Sequence, residues 1–415
     1  MNQGKFVFRC TDCGQEYSGD KVMYLCPSCS KDNNDVTPPR GVLKVVYDYP
    51  KIWETRKDFN ELKSTAFIDL LPINDISAMP PLKVGDTPLY RTRTIDGTEL
   101  PFKLFLKDDS QNPTYSFKDR ASALVSAYAK ENGIDTIVTA STGNAGSSLA
   151  GICASQHQRA IVMVPEKAPL AKLTQILMYG AVIVPVKGTY DEAFDLSVKA
   201  TEVFGWYNRN TAFNPLTVEG KKSVSFELAE QLGFRVPDRI FVPVGDGVII
   251  SGVYKGFEDL LMLDLIDKMP VIVAIQSEKS DNLVRNLKSQ DFKIVGSTTM
   301  ADSISVDIPR NFYMARNYLG HYGGEAITVS DNEIMEASAI LSGNTGLFAE
   351  PAAATAFAGM LSYHRKGLLP EDSLNVVLLT GSGLKDLKSV QGILKMPGSV
   401  EPSIDNLKKL LNDKL

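Results

Sequence analysis

Short apolar runs rich in β-branched residues alternate along this chain with longer stretches in which apolar positions recur every three or four residues. The runs at 104–106, 134–139, 160–164, 181–186, 240–244, 271–276 and 376–380 predict strands. The stretches at 116–132, 145–155, 168–179, 190–204 and 218–232 predict helices. Alternation at this spacing predicts α/β architecture, with open parallel sheets built from βαβ units. Before this region, 31–40 is polar with two prolines and reads as a linker, and the main body starts near Gly41 with a strand at 42–47. The stretch 57–70 is mixed, and the proline-rich 71–89 runs irregularly. No short repeat interrupts the order.

The 415 residues favour two to three domains, and 44% hydrophobic with 22% charged residues suits a folded globule rather than a disordered chain. A formal charge of −5, with no basic tract, argues against nucleic acid as a partner. No apolar stretch reaches the ~20 residues of a membrane span, and the first ten residues lack the pattern of an export signal. The expectation is a cytoplasmic protein acting on small molecules, with no membrane partner.

Four of the five cysteines form two knuckles, Cys10-x2-Cys13 and Cys26-x2-Cys29. Two such turns complete the tetrahedral S4 shell that structural zinc prefers. Disulfides and an iron–sulfur centre are the competing readings, the first disfavoured in a chain with no export signal. Cys153, among Ala150, Gly151, Ile152 and Ala154, reads as a core residue.

Three strand-to-helix junctions are rich in Gly, Ser, Thr and Asn, and in open parallel sheets ligands bind beyond the carboxyl ends of strands. Two of them are candidate anion cradles: Ser141, Thr142, Gly143 and Asn144 add side-chain donors, while Gly245, Asp246, Gly247, Val248 and Ile249 let backbone N–H groups approach a phosphate. Neither carries the Walker or dinucleotide pattern, and either alone could be a tight turn. Lys118 stands at a helix start after a Pro113-Thr114 turn expected to cap it. There the helix dipole and Arg120 would lower its pKa and favour a neutral, nucleophilic amine. The competing reading is a solvated Lys-Asp-Arg face.

Taken in order, these motifs carry a resemblance. The cysteine knuckles are followed by Asp86-Thr87-Pro88-Leu89, Asn112-Pro113-Thr114, Ser116-Phe117-Lys118-Asp119-Arg120, Ala140-Ser141-Thr142-Gly143-Asn144 and Lys172-Leu173-x-Gln175. Then come Asn214-Pro215, Glu219-Gly220-x-Lys222, Val242-Pro243-Val244-Gly245, Phe348-Ala349-Glu350-Pro351 and Thr380-Gly381-x-Gly383-Leu384-Lys385-Asp386. The chain resembles the threonine synthases, pyridoxal-phosphate enzymes of the tryptophan-synthase-β fold. That resemblance implies a zinc ribbon at 1–40, a large cofactor domain from 41–133 and 215–415, a small substrate domain at 134–214, and a homodimer.

It further implies that Lys118 holds pyridoxal 5'-phosphate as a Schiff base and moves protons. Asn144 would bond the cofactor's 3-hydroxyl, Thr380 its pyridine nitrogen, and Gly245, Asp246, Gly247, Val248 and Ile249 its phosphate. Ser141, Thr142, Gly143 and Asn144 would clasp the substrate carboxylate, and Lys172 would bind the substrate. The implied reaction is elimination of phosphate from O-phospho-L-homoserine and addition of water to give L-threonine.

The sequence departs from the family pattern at four places. Tyr115 replaces a glycine and adds an aromatic ring beside the lysine, Thr217 and Ser305 replace arginines, and Asp246 replaces an asparagine. With two cations gone, Lys172, Arg310 and Arg316 are the candidates to hold a phosphate ester. A serine or threonine dehydratase and a cysteate synthase on the same scaffold stay open as alternatives. His157, His321 and His364 are scattered and suggest no hydrolase.

Overall fold

The computed structural model describes residues 4–392, 394, 396 and 398–412, so that the first three residues of the N-terminal module and the last three of the chain lie outside it. Three sheets organise it. The first is antiparallel, in the order Glu16–Ser18, Phe6–Cys10, Leu43–Tyr47. The strand expected to open the main body therefore completes the N-terminal sheet instead. Its alternate residues Leu43, Val45 and Tyr47 are buried, as period-two patterning demands of a strand with one covered face.

The second sheet runs Glu325–Val329, Val271–Ser277, Arg239–Pro243, Leu374–Leu379, Thr98–Asp108, Leu89–Ile95. Its pairs are parallel except the last, an antiparallel edge. Every residue of Leu374–Leu379 is buried, because helices cover both faces of this central strand. The third sheet, Val182–Val186, Arg159–Pro165, Thr136–Ala140, Tyr207–Asn208, is parallel throughout. It is the βαβ alternation legible in the sequence, with the helices Asn144–Gln156, Leu170–Met178 and Tyr190–Phe204 between its strands.

The helix expected over 218–232 is two, Leu216–Lys221 and Ser223–Gln231. They pack against Val248–Met262, where a Cβ at Gly252 would stand only 2.6 Å from Lys221 Cβ. The N-terminal sheet is tied to these helices through buried charge. Tyr47 donates to Glu219 Oε2 (2.7 Å), and Tyr49, just after the sheet, to Asp259 Oδ1 (2.7 Å). Lys222 bridges both acids at 2.6 and 2.7 Å. Cys153 is fully buried in its helix, as expected.

Candidate active site

Loops at the carboxyl ends of Thr136–Ala140, Arg239–Pro243 and Leu374–Leu379 enclose a cavity of about 510 Å3. It brings together Lys118, Ser141, Thr142, Gly143, Asn144, Gly245, Asp246, Gly247, Val248, Ile249 and Thr380, which lie up to 262 positions apart in the chain. Lys118 opens the helix Lys118–Glu131. The segment before it is stitched to the last strand end: Phe117 N donates to Thr380 O at 2.9 Å, and Ser382 N to Tyr115 O at 3.1 Å. Lysine and threonine thus share one rigid corner.

The Lys118 amine makes no hydrogen bond or ion pair among the described residues. Burial lowers its pKa, Glu350 opposes the shift and Arg209 adds to it. Arg120, expected to do this, is buried elsewhere: Nε meets Asp109 Oδ2 at 2.6 Å and Nη2 meets Glu227 Oε2 at 2.8 Å. Nor does Thr114 cap the helix; its backbone N–H and hydroxyl donate to the Asp119 carboxylate. Tyr115 sits at φ +69°, the left-handed region that glycine enters without cost. Tyr115 is 51% exposed and does not line the cavity that Lys118 enters.

Across the cavity, Ser141 Oγ accepts from Gly143 N (3.2 Å), tightening the turn that starts the helix Asn144–Gln156. Asn144 is buried and donates its amide to both oxygens of Glu350 at 3.0 Å. Glu350, fully enclosed beside Lys118 and Asn144, has its pKa raised by burial. The motif that carries Glu350 was visible in the sequence, but nothing local gave it a role.

Gly247 caps the helix Val248–Met262 at φ +85°, and a Cβ there would meet Ala315, Leu283 and Asn311 O within 3.3 Å. Only glycine makes this turn, which leaves the first N–H groups of a long helix free to meet an anion. Asp246 accepts from Arg310 N (3.3 Å), and burial raises its pKa.

The three proposed replacement cations separate. Arg310 lines the cavity and pairs with Asp191 at 2.5 Å. Lys172 does not line the cavity but pairs at its edge with Asp302 (2.8 Å), which does, and Arg316 points away to Ser289 O. Thr217 is buried outside the cavity, donating to Asn214 O, while Ser303 and Ser305 line it. Lys221, which sequence reasoning passed over in favour of Lys222, also lines it. No histidine does.

At the far end of the N-terminal module, the Sγ atoms of Cys10, Cys13, Cys26 and Cys29 lie within 4.8 Å of one another, a spacing that suits one tetrahedral ion. Tyr17 Oη lies 3.0 Å from Cys26 Sγ. Among the described residues no helix is long and apolar enough to cross a membrane.

The family described as "Pyridoxal-phosphate dependent enzyme" matches residues 81–381. A threonine synthase of Methanocaldococcus jannaschii is 34% identical over 98% of this chain and 99% of its own length. One from Methanosarcina acetivorans is 34% identical over 98% of both. Among solved structures, a serine racemase from Dictyostelium discoideum superposes with a TM-score of 0.60 and 26% identity over 72% of this chain and 92% of that one.

Proposed function

The chain belongs to the pyridoxal-phosphate dependent enzyme family and, within it, to the threonine synthases, and on that premise we propose that it converts O-phospho-L-homoserine and water into L-threonine and inorganic phosphate. The observation that carries this reading is the one cavity that gathers an unpaired lysine, two helix-start loops and a hydroxyl at a strand end, with Arg310 in its wall.

The residues fit the cofactor. Lys118 offers an unengaged amine to its aldehyde, and the loop of Gly245, Asp246, Gly247, Val248 and Ile249 offers free N–H groups to its phosphate. Asn144 would bond the ring hydroxyl and Thr380 the ring nitrogen, where a neutral partner leaves that nitrogen less fully protonated. When bound, the cofactor withdraws electrons from the substrate's α-carbon, which lets the neighbouring C–H bonds and the phosphate ester bond break.

This chain's own groups do the rest. Ser141, Thr142, Gly143 and Asn144 clasp the α-carboxylate, and Glu350 keeps the Asn144 amide oriented. Lys118, its pKa lowered by burial, takes protons from and returns them to the substrate carbons. Arg310, Ser303 and Ser305 hold the departing phosphate, with Lys172 drawing the substrate in at the rim.

We also propose that Cys10, Cys13, Cys26 and Cys29 hold one structural zinc ion, since their four sulfurs already converge. The three separate sheets support a division into an N-terminal ribbon, a large cofactor domain and a small substrate domain, with the ribbon sheet reaching Tyr47.

The test is incubation of the pure holoenzyme with O-phospho-L-homoserine, following phosphate and threonine together. Equimolar release of both is expected. Release of keto acid and ammonia from unphosphorylated serine or threonine, without turnover of the ester, would overturn the synthase reading.

A further inference from the structure

Lys221 is 0% exposed to bulk solvent and yet lines the cavity. Its ammonium has three hydrogens and one hydrogen bond, to Thr217 O at 3.1 Å, and it forms no ion pair among the described residues. Burial, and after it Arg209 and Lys118 of its own sign, lower its pKa well below the ordinary lysine value, and Asp246 opposes them, so an incoming anion favours its charged form. Arg209 is itself fully buried with one terminal nitrogen lacking a partner. A buried cation among cations is costly unless a counter-charge joins it. This surplus of positive charge lies at the edge of a cavity.

Packing fixes which part of the cavity the ammonium reaches. Gly252 lies against Val218 O and Lys221, and Gly256 against Lys222 and Ser225, so the run 218–225 and Val248–Met262 advance side by side in the same direction. Lys221 reaches back one turn, to the carbonyl of Thr217, as helical side chains lean toward the N-terminus. One turn back from Gly252 is Val248, the first residue of its helix. The ammonium is therefore level with the helix start that Gly247 caps.

We propose that Lys221 is a ligand of the cofactor's phosphate, adding a charged side-chain donor to the backbone cradle of Gly245, Asp246, Gly247, Val248 and Ile249. It also answers a problem in that cradle, because Asp246 puts a carboxylate beside a bound dianion and Lys221 offsets it. The inference rests on the cofactor class of the family and not on the substrate reading.

The experiment titrates cofactor-free wild-type, Lys221→Met and Lys221→Arg proteins with pyridoxal phosphate and with pyridoxal, reading absorbance. For Lys221→Met the dissociation constant for pyridoxal phosphate should rise about 10- to 100-fold, the scale of a charged hydrogen bond, while that for pyridoxal stays unchanged. Lys221→Arg should keep most of the affinity. The thermal midpoint of the cofactor-free Lys221→Met protein should not fall, since a buried amine with no ion-pair partner has been replaced by an apolar side chain. Should that variant not fold, Lys221→Gln carries the same comparison. Equal weakening of both ligands would make Lys221 a packing residue and overturn the proposal. So would unchanged cofactor affinity with a raised KM for O-phospho-L-homoserine, which would place Lys221 at the substrate instead. Failure of the synthase reading shows in turnover and leaves these titrations untouched.

Discussion

Phe117 N donates to Thr380 O across 2.9 Å, so the residue before Lys118 is bonded to the residue that follows the central strand Leu374–Leu379. A lysine on a helix start and a hydroxyl on a strand end are thereby fixed in one corner before any ligand arrives. Preorganisation of this kind confines the amine to the cavity, where burial and Arg209 lower its pKa against the opposing Glu350.

The first prediction follows from that corner. Borohydride reduction of the holoenzyme and peptide mapping should tag Lys118. Lys118→Ala should lose the covalent link and turnover, while still binding cofactor through the phosphate loop. A tag on another lysine would reject the assignment.

The cysteine cluster makes the second prediction. Metal analysis of freshly purified protein should find about one zinc per chain, as an S4 shell requires. Cys26→Ser should lose the metal and lower the thermal midpoint, with the cofactor's absorbance better preserved than stability. Disulfides with no metal would refute it.

The third prediction concerns the buried charges beneath the N-terminal sheet. Burial works against the Asp259 carboxylate, yet Lys222 and Lys255 together hold its pKa below the ordinary value of 3.8. Lys255 is the mirror case: burial opposes it, and Asp259 raises its pKa. A depressed carboxylate contributes stability fully above its unfolded pKa and loses it as pH falls through the folded value. A raised lysine contributes fully below its unfolded pKa and loses it as pH rises through the folded one. Asp259→Asn should cost about 3–5 kcal/mol at pH 7, because it takes the near partner from buried Lys255 and leaves Glu219 as the counter-charge for two buried ammonium groups. Urea unfolding at pH 7 and below pH 4 should show the gap from wild type narrowing in acid. A constant gap would mean that the loss is one of packing rather than charge.

Legibility in the sequence followed the range of the interactions. The turns at 141–144 and 245–249 could be read because glycine and hydroxyl residues directly follow β-branched strands, and the cavity brings both together. Leu89–Ile95 could not, because an edge strand with a largely exposed pattern of residues carries little alternation. Glu350 and Lys221 were missed for a different reason. Lys222, the motif residue, points into the ion cluster with Glu219 and Asp259, while its neighbour Lys221 points at the cavity. Which of two adjacent lysines faces a site depends on how the helix is rotated on its neighbours, and no local pattern fixes that. Arg120 was misjudged likewise, its partner Glu227 lying 107 positions away.

The last prediction weighs two cations. Lys172 is 39% exposed and already paired with an exposed Asp302, the class of ion pair that contributes about 0–1 kcal/mol. Arg310 lies in the cavity wall over the Phe194 ring, 3.9 Å from its centroid, with its side chain 21% exposed and its guanidinium paired to Asp191. An arginine can hold a phosphate by two parallel hydrogen bonds, each charge-assisted and worth about 1.5–3 kcal/mol. Arg310→Ala should therefore raise KM for O-phospho-L-homoserine by about 10- to 100-fold, and Lys172→Ala by only about threefold, with the cofactor spectrum unchanged in both. Asp191 competes with the ester for the same guanidinium, so Asp191→Asn should lower KM. Steady-state kinetics on the three variants decide it. A steep effect at Lys172 with indifference at Arg310 would move the phosphate to the rim and leave the Arg310–Asp191 pair as a strut between the two sheets.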